Sequence, residues 1–126
     1  MKLTATVIGS PDPHRLAHFY ADLLGWEIRR EDEDWATVRD PKGGAGLSFQ
    51  TEAHHRRPVW PGNAVDQQMM MHLDFEVEDL REASELAVSL SATVADFQPQ
   101  DDVIVHFDPA GHPFCLWVPV QESEEG

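Results

Sequence analysis

The chain has 126 residues, 41% of them hydrophobic and 9% aromatic, which suits one globular unit with its own core and leaves no room for a second independent domain. A net charge of −14 with a pI near 4.6 argues against nucleic-acid binding, which needs a basic face; it favours solubility, and secondarily a cationic small molecule. Apolar stretches are only strand-sized, the start Met1-Lys2-Leu3-Thr4 lacks a leader pattern, and Cys115 is the one cysteine. The expectation is a cytoplasmic protein with neither membrane span nor internal disulfide.

Leu3 to Ser10, rich in Thr, Val and Ile, predicts a strand that Pro11-Asp12-Pro13 ends. Asp12 then caps a helix with Pro13 in its first turn, Leu16, Phe19, Tyr20, Leu23 and Leu24 on one face, and Gly25 as its stop. Three short strands follow: Trp26 to Arg30, Trp35 to Arg39 and Gly46 to Gln50. Residues 51–67, with His54-His55-Arg56-Arg57-Pro58 and Pro61-Gly62-Asn63, carry no periodicity and predict a solvated loop. A strand from Met70 to Val77 comes next, then a helix opened by Asp79 and Glu82, with Ala83, Leu86, Ala87 and Leu90 on one face. Thr93 to Phe97, Val103 to Phe107 and Phe114 to Val118 complete the strands, and Asp108-Pro109-Ala110-Gly111 is a tight turn whose geometry accounts for His112.

The order of elements is stated twice, roughly 67 residues apart, as expected of a paired rather than a solenoid architecture. The interval from Ala5 to Asp12 equals that from His72 to Asp79, so the two copies can be compared position by position. Strand alternation puts Leu73, Phe75 and Val77 on the face that packs the helices, and His72, Asp74 and Glu76 on the other. Ala5 stands where the second copy has His72, and Gln50 corresponds to Cys115, so Ala5, Gln50, His72 and Cys115 converge by pseudo-symmetry.

In Asp12 to Tyr20, Leu23-Leu24-Gly25-Trp26, His72 to Leu80 and Asp108 to Leu116, the chain resembles the vicinal oxygen chelate superfamily of glyoxalases, bleomycin-resistance proteins and extradiol dioxygenases. The resemblance is nearest to the glyoxalase-like proteins common in actinobacteria. It implies an α+β fold in which two paired βαβββ modules form a curled, cup-shaped mixed sheet with helices outside. One domain is expected over residues 1–126, with module one at about 3–50, the loop at 51–67, module two at about 68–119 and a polar tail at 120–126. The resemblance also implies a homodimer as partner state and, in metal-dependent members, one divalent ion held by His, Glu or Gln at the four converging positions.

This sequence departs from that ligand pattern twice, because Ala5 has no donor and Cys115 stands where a carboxylate is expected. The expectation is therefore no cofactor, with a divalent metal at Gln50, His72 and Cys115 as the alternative. His72 is the candidate catalytic acid–base, its reference pKa near 6.5 being suited to proton transfer. Gln50, Asp74 and Cys115 are the polar candidates for substrate binding, and Trp35, Trp60, Phe107 and Trp117 the aromatic ones. Three functions stay open: a lyase or isomerase type step on a small organic molecule, non-catalytic sequestration of the antibiotic-resistance type, and metal-dependent lyase or dioxygenase chemistry.

Overall fold

Asp12 starts the first helix by accepting the Arg15 amide on its carboxylate at 3.1 Å. The computed structural model describes residues 1–119; the predicted tail at 120–126 lies outside the described residues. Strand β1 (Ala5–Ser10) precedes this helix, α1 (Pro13–Leu24), which ends where Gly25 turns left-handed at φ 67°. Helix α2 (Leu80–Ser89) starts the same way, Asp79 accepting the Glu82 amide at 3.0 Å. After α2, Ser91 takes a left-handed φ of 89°, so this copy reaches without glycine a backbone that favours it.

In the first sheet β2 (Glu27–Asp32), β3 (Trp35–Arg39) and β4 (Gly46–Thr51) join β1 in the order β1-β4-β3-β2, with β1 parallel to β4. The second sheet repeats this with β5 (Leu73–Glu76), β6 (Thr93–Val94), β7 (Val103–Phe107) and β8 (Pro113–Trp117), in the order β5-β8-β7-β6. Each copy is thus a βαβββ module with a mixed sheet, giving the expected α+β class.

Three strands are shorter than the sequence predicts: β1 starts two residues later, at Ala5, and β5 and β6 are cut back for identifiable reasons. β5 begins at Leu73 because β8 supplies partners only from Phe114 to Trp117; Met70 and Met71 face no strand and are exposed. β6 stops at Val94 because the Gln98 side chain takes over the ladder. Its amide donates to the carbonyls of Ala95 and Val105, and its oxygen accepts the Val105 amide at 2.9 Å. β2 runs two residues further than predicted, past an irregularity between Ile28 and Arg30.

One core serves both modules. Leu16, Phe19 and Tyr20 of α1 pack against Val38 and Phe49 of the first sheet and against Phe114 and Leu116 of the second. Tyr20 stacks on Phe49 with ring centroids 5.7 Å apart and meets Phe114 edge-on at 6.1 Å. Its hydroxyl donates to Asp108 Oδ2 at 2.7 Å, a buried bond across 88 positions of sequence. Burial first, and then the Asp108 charge and that bond, raise the Tyr20 phenol well above its ordinary 10.0. The unfolded chain loses this proton first as pH passes the ordinary value, so stability present below it is lost progressively above it. Tyr20 is the one tyrosine, so ultraviolet titration reads it alone; its ionisation is expected only with unfolding at alkaline pH. Tyr20→Phe is expected to cost about 1.5–3 kcal/mol at neutral pH by urea denaturation and to flatten the alkaline loss.

Candidate functional site

Alternation along β5 turns Leu73 and Phe75 to the core and leaves Asp74 on the opposite face, with His72 just before the strand. β8 lies parallel to β5 with Asp74 opposite Cys115, while Val105 of β7 flanks Cys115 on its other side. Suitable atoms of His72, Asp74 and Cys115 lie within 4.8 Å of one another. His72 Nε2 is 3.1 Å from Asp74 Oδ1, and the Cys115 thiol lies beside the same carboxylate.

The inter-module loop brings the fourth member. Val59 donates its amide to the Gln67 carbonyl at 2.9 Å, and an Asn63–Asp66 turn closes the segment between them. This places the Trp60 indole on the His72 ring, with centroids 5.4 Å apart and planes at 21°. Trp60 also packs with Val103 and Phe107 against Ala95, Val105 and Cys115. The resulting cavity, about 440 Å³, is lined by Trp60, His72, Asp74, Asp102, Cys115 and Trp117, with Pro99 and Gln100 at its rim.

The structure therefore brings together five of the residues singled out from sequence: Trp60, His72, Asp74, Cys115 and Trp117. Phe107 supports this group from behind, packed against Cys115's cluster rather than lining the cavity. Gln50 and Trp35 are not part of it. They pair with each other across β4 and β3 of the first sheet, where Gln50 is exposed and the Trp35 indole donates to Thr37 Oγ1 at 2.9 Å. Ala5, the remaining converging position, pairs with Gly46 on that sheet.

A four-donor metal set of the family type does not fit these residues. Ala5 offers no donor and Gln50 stands outside the cavity. What gathers instead is an imidazole, a carboxylate and a thiol whose donor atoms lie within 4.8 Å of one another, a three-donor set that could hold an ion without Ala5 or Gln50. Burial, and after it the charge and hydrogen bond of Asp74, push the Cys115 thiol up to about 11 from 9.0. A thiol raised in this way favours its protonated form at neutral pH.

A buried histidine that sequence reading passed over is His106, on the helix-facing side of β7. Its Nδ1–H donates to the Ile104 carbonyl at 3.1 Å and its Nε2 accepts from Ser84 of α2 at 2.8 Å, while the ring stacks on Phe114. Burial lowers its pKa, and the neutral ring joins α2 to the sheet. Its place on the alternation of β7, with Ile104 beside it, was the available signal.

Two mixed sheets of identical strand order, with the polar cluster on the face turned from the core, define an α+β protein of paired βαβββ modules. The chain belongs to the glyoxalase-like domain family, whose model matches residues 5–117. A glyoxalase/bleomycin resistance protein/dioxygenase family enzyme from Burkholderia phytofirmans superposes with a TM-score of 0.72 at 13% identity, over 94% of this chain and 98% of its own. The glyoxalase family protein from Enterococcus faecalis gives 0.67 at 19% identity, over 92% and 96%. The fosfomycin resistance protein FosX from Mesorhizobium loti gives 0.66 at 13% identity, over 94% and 92%. No curated protein matches the sequence. Among the described residues no helix is long and apolar enough to cross a membrane.

The raised thiol has a direct readout. Alkylation of native Cys115 by iodoacetamide at neutral pH is expected to be at least about a hundredfold slower than in the urea-unfolded chain, because the thiolate fraction falls tenfold per unit. Asp74→Asn, which removes the neighbouring charge, is expected to speed the native reaction.

Proposed function

We propose that the chain binds a small organic molecule in the cavity on the second sheet and that His72 moves a proton on it in a lyase or isomerase type step. The observation that carries this reading is the placement of one imidazole between the Asp74 carboxylate and the Trp60 indole at the wall of an open cavity. Asp74 orients the His72 ring, while Trp60 and Trp117 give flat apolar walls to a ring or chain. Asp74 and Asp102 at the same cavity favour a neutral or cationic ligand over an anion. No step is routed through a metal or through Cys115.

Sequestration without turnover is the second reading, and the aromatic lining by Trp60 and Trp117 favours it. Native mass spectrometry of protein purified without a tag, with elemental analysis before and after a chelator, tests both through the mass of any retained molecule. With that molecule as titrant, His72→Ala is expected to weaken binding about tenfold or more. His72→Gln is expected to keep binding and lose turnover. Undiminished binding by both variants would overturn the site, while turnover-free binding by the unaltered protein would select sequestration. Loss of binding after chelation would overturn the metal-free reading.

The protein's own second copy is the proposed partner. The cavity takes its lining from the second module and Trp60 alone, which leaves the polar face around Gln50 free to close over the cavity of a neighbouring chain. Sedimentation at micromolar concentration is expected to give a species of twice 14.2 kDa, and a sole monomer would contradict it.

A further inference from the structure

A second cavity, about 390 Å³, lies between the two modules. One wall is β1 from Thr6 to Gly9, the other the irregular segment from Gln67 to Leu73, and Tyr20, His55 and His112 stand at its base. Its volume is in the range of small-molecule sites, and its walls are mainly apolar, with Val7, Met70 and Met71 exposed. His72 borders both cavities.

The polar groups at the base are fixed from behind. The Asp108 carboxylate, 1% exposed, accepts the Tyr20 hydroxyl at 2.7 Å, the amides of Ala110 and His112 at 2.9 and 3.0 Å, and Nδ1–H of His112 at 3.2 Å. Four donors hold the acceptor, and the acceptor holds the ring. His112 must carry its proton on Nδ1 to donate, so in the neutral ring Nε2 is a bare acceptor. No hydrogen bond to that nitrogen forms among the described residues, and the side chain is 22% exposed. His55 lies against His112 with ring centroids 4.9 Å apart and planes tilted at 33°, and its Nε2–H donates to the Ala110 carbonyl at 2.8 Å, which leaves its own Nδ1 as acceptor in the neutral ring. Two oriented imidazoles thus present acceptors at the foot of an apolar cleft.

We infer that this inter-module cleft is a separate ligand site, taking a neutral, mainly apolar molecule that carries a hydroxyl or N–H donor, with His112 Nε2 as the acceptor that orients it. A bare acceptor beside apolar walls discriminates by hydrogen bonding. A ligand with a donor gains the bond, whereas its methyl ether leaves the nitrogen desolvated and unpaired. The net charge of −14 disfavours anions at this site.

The test uses p-cresol and 4-methylanisole, which share a ring and methyl group and differ in the hydroxyl. Both are titrated into the full chain while histidine ring nitrogens are followed by long-range proton–nitrogen NMR. p-Cresol is expected to shift His112 Nε2 saturably, and 4-methylanisole to bind at least about fivefold more weakly, the value of one ordinary hydrogen bond. Val7→Trp, which fills the cleft from an exposed strand position, is expected to abolish the saturable His112 shift. Equal binding of the two probes, no shift at His112, or shifts confined to His72 would each overturn the inference. Cleft shifts that follow protein concentration rather than p-cresol would assign the cleft to a second copy and overturn it as well.

Discussion

The bond between Tyr20 and Asp108 is the constraint on which the rest depends. It joins the first helix to the turn before the last strand, so it fixes one module against the other at a point where both contribute core. Asp108 is buried with its charge satisfied by four donors, and losing the phenol would leave that carboxylate one partner short in a medium that tolerates no such vacancy. Position follows from it along β8: once the turn is fixed, Phe114 and Leu116 face the core and Cys115 faces outward beside Asp74.

The polar chemistry is asymmetric between two modules that share one backbone plan. In the first, Ala5, Val7 and Gly9 leave the corresponding strand without titratable groups; in the second, His72 and Asp74 stand beside Cys115. Burial and the Asp74 charge hold the thiol protonated, which leaves the imidazole as the group suited to proton movement at neutral pH. Trp60 belongs to neither sheet, yet it covers His72, so the connecting loop takes part in the site as directly as the strands do.

Much of the fold was legible because local chemistry dictates it. Asp12 and Asp79 mark helix starts, Gly25 marks a stop, and alternation places Leu73 and Phe75 inward with Asp74 outward. Strand ends were less legible, since they depend on partners: β5 can be no longer than the stretch of β8 beside it, and nothing near Met70 states that length. Pseudo-symmetry selected His72 and Cys115 correctly as neighbours, but it also selected Gln50, because equivalence of position within two modules does not make their polar faces meet in one chain. The stacking of Trp60 on His72 was beyond sequence reading, as it depends on a loop closed by one backbone bond and an Asn–Asp turn.

The Gln98 amide that replaces the end of β6 has a consequence for solubility. Backbone groups left bare by a short edge strand invite another chain to pair with them, and here the Gln98 side chain occupies those of Val105 on β7 just beyond the end of β6. At the opposite end of the molecule β2 uses different means, an irregular register with Arg29, Arg30, Glu31 and Asp32 along an exposed edge. The other edge strand of each sheet, β1 or β5, carries neither device.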